Sequence, residues 1–225
     1  MVLCFVNDGS TDQTLDILNS FKKNFKKQVF ILDLKTNSGK AEAVRQGMLW
    51  SNLNINHQFI AYLDADLATS LEECTSMVSR FQTDLDFVFG SRIMKIGSQI
   101  ERKQSRFLIG RIVATFISRI LKLQVYDTQC GCKLFRKKLS QSLFNEPFIS
   151  KWLFDVEIFQ RIIVQFGRDR TQKKILEVPL KRWIDQGESK VKMTYFFKLW
   201  FDLYKIRKAY SKKKLKTATS NTDTQ

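Results

Sequence analysis

Phe59-Ile60-Ala61-Tyr62-Leu63-Asp64-Ala65-Asp66 is a short apolar run that ends on a pair of carboxylates. A stretch of this length and composition reads as a buried strand, and the acids mark where the chain leaves the core. The same grammar appears twice upstream. Val2-Leu3-Cys4-Phe5-Val6 runs into Asn7-Asp8-Gly9-Ser10-Thr11-Asp12, a polar turn, followed by a helical pattern over residues 11–25. Residues 29–34 form the next apolar run, closed by Asn37-Ser38-Gly39-Lys40, with a helix over 41–51. Downstream of the acids the pattern predicts a helix over 70–81, opened by Thr69 or Ser70, and a strand over 86–89. Strands alternating with helices of this length predict an α/β fold, a mostly parallel sheet flanked by helices. In such a sheet the ligand crevice lies at the carboxyl ends of the strands, where all three polar turns fall.

After Gly90 the period changes. Phe107, Leu108, Ile109, Ile112, Val113, Phe116, Ile117, Ile120 and Leu121 recur at helical spacing, with Arg111, Arg119 and Lys122 between them. This is an amphipathic helix, suited either to the core or to a surface that accepts its apolar side. Residues 152–166 read as another helix and residues 175–178 as a strand. A loop holds Gly187-Glu188-Ser189-Lys190, and a last helix over 193–210 sets Tyr195, Phe196, Phe197, Trp200, Phe201 and Tyr204 among lysines. Residues 1–210 are expected to form one domain, and 211–225, lysine-rich and then rich in Thr and Ser, a disordered tail. There is no internal repeat.

The chain has 225 residues, of which 44% are hydrophobic, enough for a sizeable core, so disorder of the whole chain is excluded. Its formal net charge of +16 calls for an anionic partner. The excess sits in residues 92–122 and 205–225, each beside an unusually apolar or aromatic stretch, while the rest is nearly balanced. That pairing favours an anionic membrane surface over nucleic acid. Asp8, Asp64 and Asp66 would also repel a nucleic-acid backbone unless a metal intervened. A transmembrane span is not expected, because residues 107–121 fall short of the ~20 apolar residues required and contain Arg111 and Arg119. No signal peptide is visible. Cys4, Cys74, Cys130 and Cys132 lack zinc-type spacing, which suggests free thiols in a reducing, cytoplasmic setting.

Asp64 and Asp66, two residues apart at a strand end, can aim at one hard divalent cation, which in turn takes oxygens from a diphosphate. The same acids fit a solvated turn or a helix cap. Asp8 can hydrogen-bond a nucleobase or ribose at the crevice edge, or merely belong to a capping turn. Gly39 allows close approach and Lys40 offers an ammonium to a diphosphate. His57, the only histidine, reads as an ordinary loop residue, so a histidine-based triad is not expected.

These three turns, in this order, resemble the nucleotide-sugar half of the inverting GT-A-fold glycosyltransferases of family 2. Three further motifs sharpen the likeness: Asp127-Thr128-Gln129-Cys130-Gly131-Cys132-Lys133-Leu134-Phe135, Trp152-Leu153-Phe154-Asp155-Val156-Glu157, and Gly187-Glu188-Ser189-Lys190. They are similar to motifs of the polyprenyl-phosphate sugar transferases, nearest the dolichyl-phosphate β-glucosyltransferases, with the mannosyltransferases as cousins. The resemblance extends over residues 2–208. It departs in two places. The family's usual first strand and its nucleotide-holding loop are absent, suggesting truncation or an incomplete site with an exposed sheet edge. Ala68 stands where the cousins carry a metal-binding amide.

The resemblance implies inverting transfer of a hexosyl group, glucose in the nearest branch, from UDP-glucose or GDP-mannose to a polyprenyl phosphate. It implies a peripheral enzyme at the cytoplasmic face of a membrane. Asp66, assisted by Asp64, would hold Mg²⁺ or Mn²⁺ against the leaving diphosphate. Asp8, Gly39, Lys40 and Asp64 would bind the donor. Arg92 and Arg106 would bind acceptor phosphate bidentately, helped by Ser189 and Lys190. Asp155 and Glu157 cannot both be core; one would face the sugar or a basic partner, unless Asp155 is simply a charge at the helix N-terminus. Residues 129–133 would shape the acceptor side, and residues 107–121 and 193–210 would be interfacial amphipathic helices. A GT-A enzyme with a saccharide acceptor would instead need Asp155 or Glu157 as base. An inactive, truncated or anion-binding form is the remaining alternative.

Overall fold

The computed structural model describes residues 1–101, 104–185 and 198–211, with 104–106 described by backbone alone. The chain runs β1 (Leu3–Asp8), α1 (Thr14–Asn24), β2 (Val29–Leu34), α2 (Lys40–Asn54), β3 (Phe59–Leu63), and α3 (Leu71–Ser76) with a 3₁₀ turn at Met77–Arg80. It continues through β4 (Phe87–Ser91), β5 (Gln99–Glu101), α4 (Gln104–Leu121), β6 (Cys132–Arg136), α5 (Lys137–Leu143), α6 (Phe154–Phe166) and α7 (Arg168–Lys174). β7 (Ile175–Pro179), β8 (Arg182–Ile184) and a helix over residues 198–211, α8, complete the described elements.

β4 is the centre of the larger sheet. Phe87, Val88 and Phe89 are fully buried because β6 and β7 cover both edges and both faces carry helices. On one face Phe87 stacks on Phe135 with ring centroids 4.7 Å apart, and Phe159 of α6 meets Phe87 and Phe89 edge-on. On the other, Val88 joins Cys74, Met77, Leu134 and Leu180. The continuous apolar run of β4 is what burial on both faces requires.

The sheet order is β3-β6-β4-β7. β4 and β7 are parallel, as are the separate pairs β1·β2 and β5·β8. β6 is the exception, running antiparallel between β3 and β4. Its sequence carries the alternation of a strand, Cys132 and Leu134 to one side and Lys133 and Phe135 to the other, but a buried lysine breaks the apolar pattern by which the earlier strands are read. β5 and β8 are also absent from the sequence reading, being only three residues long each. Among the described residues β1 has a ladder only with β2, and β3 only with β6. Both strands lie against α2, and Ala61 in the middle of β3 is exposed.

Helix ends follow local chemistry. Ser70, not Thr69, caps α3: its side chain accepts from the Glu73 N–H at 3.2 Å, and Glu72 and Glu73 occupy the positive first turn. At α1 the N-cap is Gln13, which makes no side-chain cap bond, and Asp12 just before it accepts from the Thr14 N–H on Oδ1 at 3.0 Å; neither Ser10 nor Thr11 caps the helix.

α4 serves both purposes open to it. Ile117 and Leu121 are buried, whereas Leu108, Ile109, Ile112 and Phe116 are exposed. α8 likewise buries Leu199, Leu203 and Ile206 while exposing Trp200, Phe201 and Tyr204. The two outer faces meet where Phe116 contacts the Trp200 ring edge-on at 4.7 Å. No helix among the described residues is long and apolar enough to cross a membrane. The loop at 187–190 and the tail from 212 onward lie outside the described residues.

Candidate active site

The first polar turn builds the second. Asp8 at the end of β1 accepts the backbone N–H of Ser38 on Oδ1 and that of Gly39 on Oδ2, each at 2.8 Å. Gly9 must be glycine, since its φ is +66° and a Cβ would lie 2.6 Å from the Asn37 nitrogen. Both oxygens of Asp8 hold the turn that carries Lys40, each with a further lone pair that a nucleobase or ribose donor could use.

Lys40 in turn reaches the end of β3, its Nζ 2.7 Å from Asp64 Oδ1. The side chains are 42% and 31% exposed, so solvent and ligands reach the pair. Asp66 is exposed, with Oδ1 accepting from the Ala68 N–H at 3.0 Å and Oδ2 left open. Two hard oxygen donors on one strand end suit a divalent cation. No cluster of three or more His, Cys, Asp or Glu side chains occurs among the described residues. A cation here would therefore complete its shell with diphosphate and water. Beside the turn lies a cavity of about 350 Å³ lined by Asn37, Ser38, Ala41, Glu42, Phe148 and Lys151. Lys151 adds a second ammonium to this rim, and no local motif announces it.

A buried polar cluster backs the carboxylates. Lys133 on β6 is fully buried, with Nζ donating to Asp155 Oδ1 at 2.6 Å and to the Cys130 carbonyl at 2.5 Å. The Tyr62 hydroxyl donates to the same Asp155 oxygen. Burial, followed by the charge of Asp155, raises the Tyr62 pKa well above its usual value. Asp155 thus faces a basic partner from the first turn of α6, and both it and Glu157 are buried, against the expectation that they could not both be core. Glu157 points into the core, where the Arg161 charge acts on it. It is fully buried, with its oxygens accepting from the Ile149 N–H at 3.0 Å and the Ser150 N–H at 2.8 Å, and Tyr210 of α8 donates to it at 3.3 Å. In this structure Glu157 anchors the loop at residues 149–150. Burial raises its pKa, only partly offset by the two backbone donors.

Arg92 follows β4. Its Nε and Nη2 donate to Asp127 Oδ2 and Oδ1 at 2.6 and 2.8 Å, and its backbone N–H to Oδ2 at 3.1 Å. Asp127 is itself placed by Glu177 of β7, whose carboxylate accepts the N–H groups of Tyr126 and Asp127 at 2.8 and 2.7 Å. Burial opposes both charges, but Arg92 more than compensates and holds Asp127 down to about 2, while Asp127 raises Arg92 further. Nη1 of Arg92 is not used by Asp127, and the guanidinium lies 5.3 Å from the Trp183 ring centroid. The buried hydroxyls of Ser91 and Thr128 and the Gln129 amide nitrogen flank this junction without hydrogen-bond partners. Arg106 lies in the first turn of α4, and Ser189 and Lys190 lie outside the described residues. His57 bonds the Ile55 carbonyl in its own loop and the Asn52 side chain at the end of α2.

The sequence profile of Glycosyl transferase family 2 matches residues 2–144. A dolichyl-phosphate beta-glucosyltransferase of Trichomonas vaginalis is 31% identical over 89% of this chain and 58% of its own length. The chain belongs to glycosyl transferase family 2. Another family member, the dolichyl-phosphate beta-glucosyltransferase of Saccharomyces cerevisiae, is 31% identical over 92% of the chain and 64% of its own length. The chain therefore spans about three fifths of the length of these curated relatives. Among solved structures, glucosyl-3-phosphoglycerate synthase from Mycobacterium tuberculosis in complex with Mn²⁺, UDP-glucose and phosphoglyceric acid superposes with a TM-score of 0.59 at 13% identity, covering 91% of this chain and 68% of that one. At that identity the likeness is one of fold, and it supports the GT-A architecture expected of a family 2 domain.

Proposed function

We propose that this family 2 domain transfers glucose, with inversion, from UDP-glucose to a polyprenyl phosphate at the cytoplasmic face of a membrane. The observation that carries the reading is the solvent-reached carboxylate pair at the end of β3, with Lys40 on Asp64 and an unspent oxygen on Asp66. The dolichyl-phosphate beta-glucosyltransferase relatives support the acceptor class, and the complex with Mn²⁺ and UDP-glucose supports the donor and a divalent cation.

Asp64 and Asp66 would hold Mg²⁺ or Mn²⁺, which supplies Lewis-acid stabilisation of charge on the departing diphosphate. Lys40 is positioned to leave Asp64 for that diphosphate, and the turn held by Asp8 keeps its backbone fixed while its side chain moves. The acceptor is already an anion at neutral pH, so no strong general base is required; the task is to bring two anions together. Arg92 remains charged, oriented by Asp127, and retains Nη1 donors for acceptor phosphate. Arg106, Ser189 and Lys190 are proposed to join it. A saccharide acceptor would need a carboxylate base, and Asp155 and Glu157 are both buried and engaged elsewhere. GDP-mannose as donor has no counterpart among the relatives described above.

The contiguous apolar faces of α4 and α8 support docking to an anionic membrane. Lys205 and Lys208 lie over the exposed rings of Phe201 and Tyr204, at 4.3 and 5.9 Å, as an interfacial helix requires. The edges of β1 and β3 under α2, unpaired among the described residues, support the further reading that one more strand completes the sheet. Purified protein mixed with Mn²⁺, UDP-glucose and anionic vesicles containing polyprenyl phosphate is expected to form glucosyl lipid. Asp66→Ala should cut turnover by about 100-fold or more, and unchanged turnover would overturn the proposed mechanism.

A further inference from the structure

The segment between Asp127 and Phe135 enters the site from the strand opposite the carboxylates. The β3·β6 register sets Leu63 against Cys132, which brings Gly131 directly across from Asp64. The Asp64 N–H donates to the Gly131 carbonyl at 2.9 Å, extending the ladder one residue past the strand end. A Cβ built on Gly131 would fall inside the Asp64 carboxylate, overlapping Cγ and both oxygens. Gly131 has none of the positive φ values of the chain's turn glycines, so backbone strain does not explain a glycine here. The close approach of the carboxylate does.

We infer that Gly131 is a positioning residue for Asp64: its missing side chain is the space in which the carboxylate lies, and its carbonyl fixes the Asp64 backbone. This moves Gly131 from the acceptor side, where the sequence placed it, to the donor side. The rest of the motif holds it there. Lys133 binds the Cys130 carbonyl immediately before Gly131 and is itself locked by Asp155 and Tyr62. The buried cluster thus acts on the exposed one through a single glycine. With any side chain at 131, the Asp64 carboxylate cannot keep its present place beside Lys40.

The inference about donor binding rests on the proposed function, whereas the steric coupling of Gly131 to Asp64 does not. The test is a double-mutant cycle of Gly131→Ala and Asp64→Ala, read both by thermal unfolding and by Mn²⁺-dependent UDP-glucose binding in calorimetry. Gly131→Ala should lower Tm in the wild-type background. In the Asp64→Ala background, where the colliding carboxylate is gone, it should lower Tm far less. Donor affinity should fall by ~10- to 100-fold in Gly131→Ala, as for an outer-shell change at a metal site, with no further loss when Gly131→Ala is added to Asp64→Ala. If Gly131→Ala does not fold alone, recovery of a folded double variant supports the same coupling. An equal Tm loss in both backgrounds, or a double variant that also fails to fold while Asp64→Ala folds, would overturn it. Wild-type protein that binds no UDP-glucose would refute the proposed donor and leave the thermal arm to decide the role of Gly131.

Discussion

Two lysine–aspartate pairs of nearly equal length stand on either side of the same glycine. Lys40 meets Asp64 at 2.7 Å with both side chains open to solvent; Lys133 meets Asp155 at 2.6 Å with 0% and 6% exposure. The chemistry is identical and the environments are opposite. An exposed pair contributes little to stability and exchanges partners readily. A buried pair has lost its hydration, and removing one partner strands a charge in the core. Lys133 compounds this by also satisfying the Cys130 carbonyl, while Tyr62 shares the Asp155 oxygen. The buried pair is therefore scaffold, and the exposed pair is the one proposed to meet ligand. Arg92–Asp127 lies between them, with side chains 22% and 10% exposed.

The contrast breaks most sharply at Lys133. Lys133→Met leaves Asp155 uncompensated and the Cys130 carbonyl without its donor, and should cost about 3–5 kcal/mol in urea unfolding. A loss below about 1 kcal/mol would mean that the buried pair behaves like a surface one.

Asp127 tests the intermediate case through pH. Its pKa in the folded chain, about 2, is below the unfolded value near 3.8, so its stabilising contribution is complete above about pH 4 and is lost as pH falls through about 2. Asp127→Asn should be less stable than wild type at pH 7 by on the order of 2 kcal/mol. That gap should narrow between pH 4 and pH 2. A gap independent of pH over this window would show that Arg92 does not set the titration of Asp127.

Lys40→Met gives the smallest stability effect. It should change unfolding free energy by less than about 1 kcal/mol, because its charge is solvated. Donor affinity should nevertheless fall by about ten-fold through loss of a phosphate contact.

The exposed pair is legible from sequence because each half ends an apolar strand: Asp64 and Asp66 follow residues 59–63, and Gly39 and Lys40 follow residues 29–34. Local period and turn composition carry that information, and from them the α/β alternation and the crevice can be read. The buried pair is not legible in the same way. Lys133 interrupts the apolar run of β6, and only the antiparallel insertion of β6 between β3 and β4 brings it to α6. The sequence places Asp155 and Glu157 at a helix start. It does not show that one is paired with a buried lysine and the other hydrogen-bonded by backbone N–H groups. For the same reason the sequence does not show that Asp8 holds the turn of Ser38 and Gly39, which the β1·β2 pairing brings to it. Gly131 looks like one more loop glycine until the β3·β6 register places Asp64 on it.

The central claim is that the solvent-reached carboxylate at the end of β3 is where a nucleotide sugar and its cation bind. Calorimetric titration of UDP-glucose, with and without Mn²⁺, into wild-type protein and Asp64→Ala tests it most directly. Saturable binding that requires Mn²⁺ and weakens by about ten-fold or more in Asp64→Ala is the predicted result. Binding of equal affinity in the two proteins, or binding indifferent to Mn²⁺, would contradict the account.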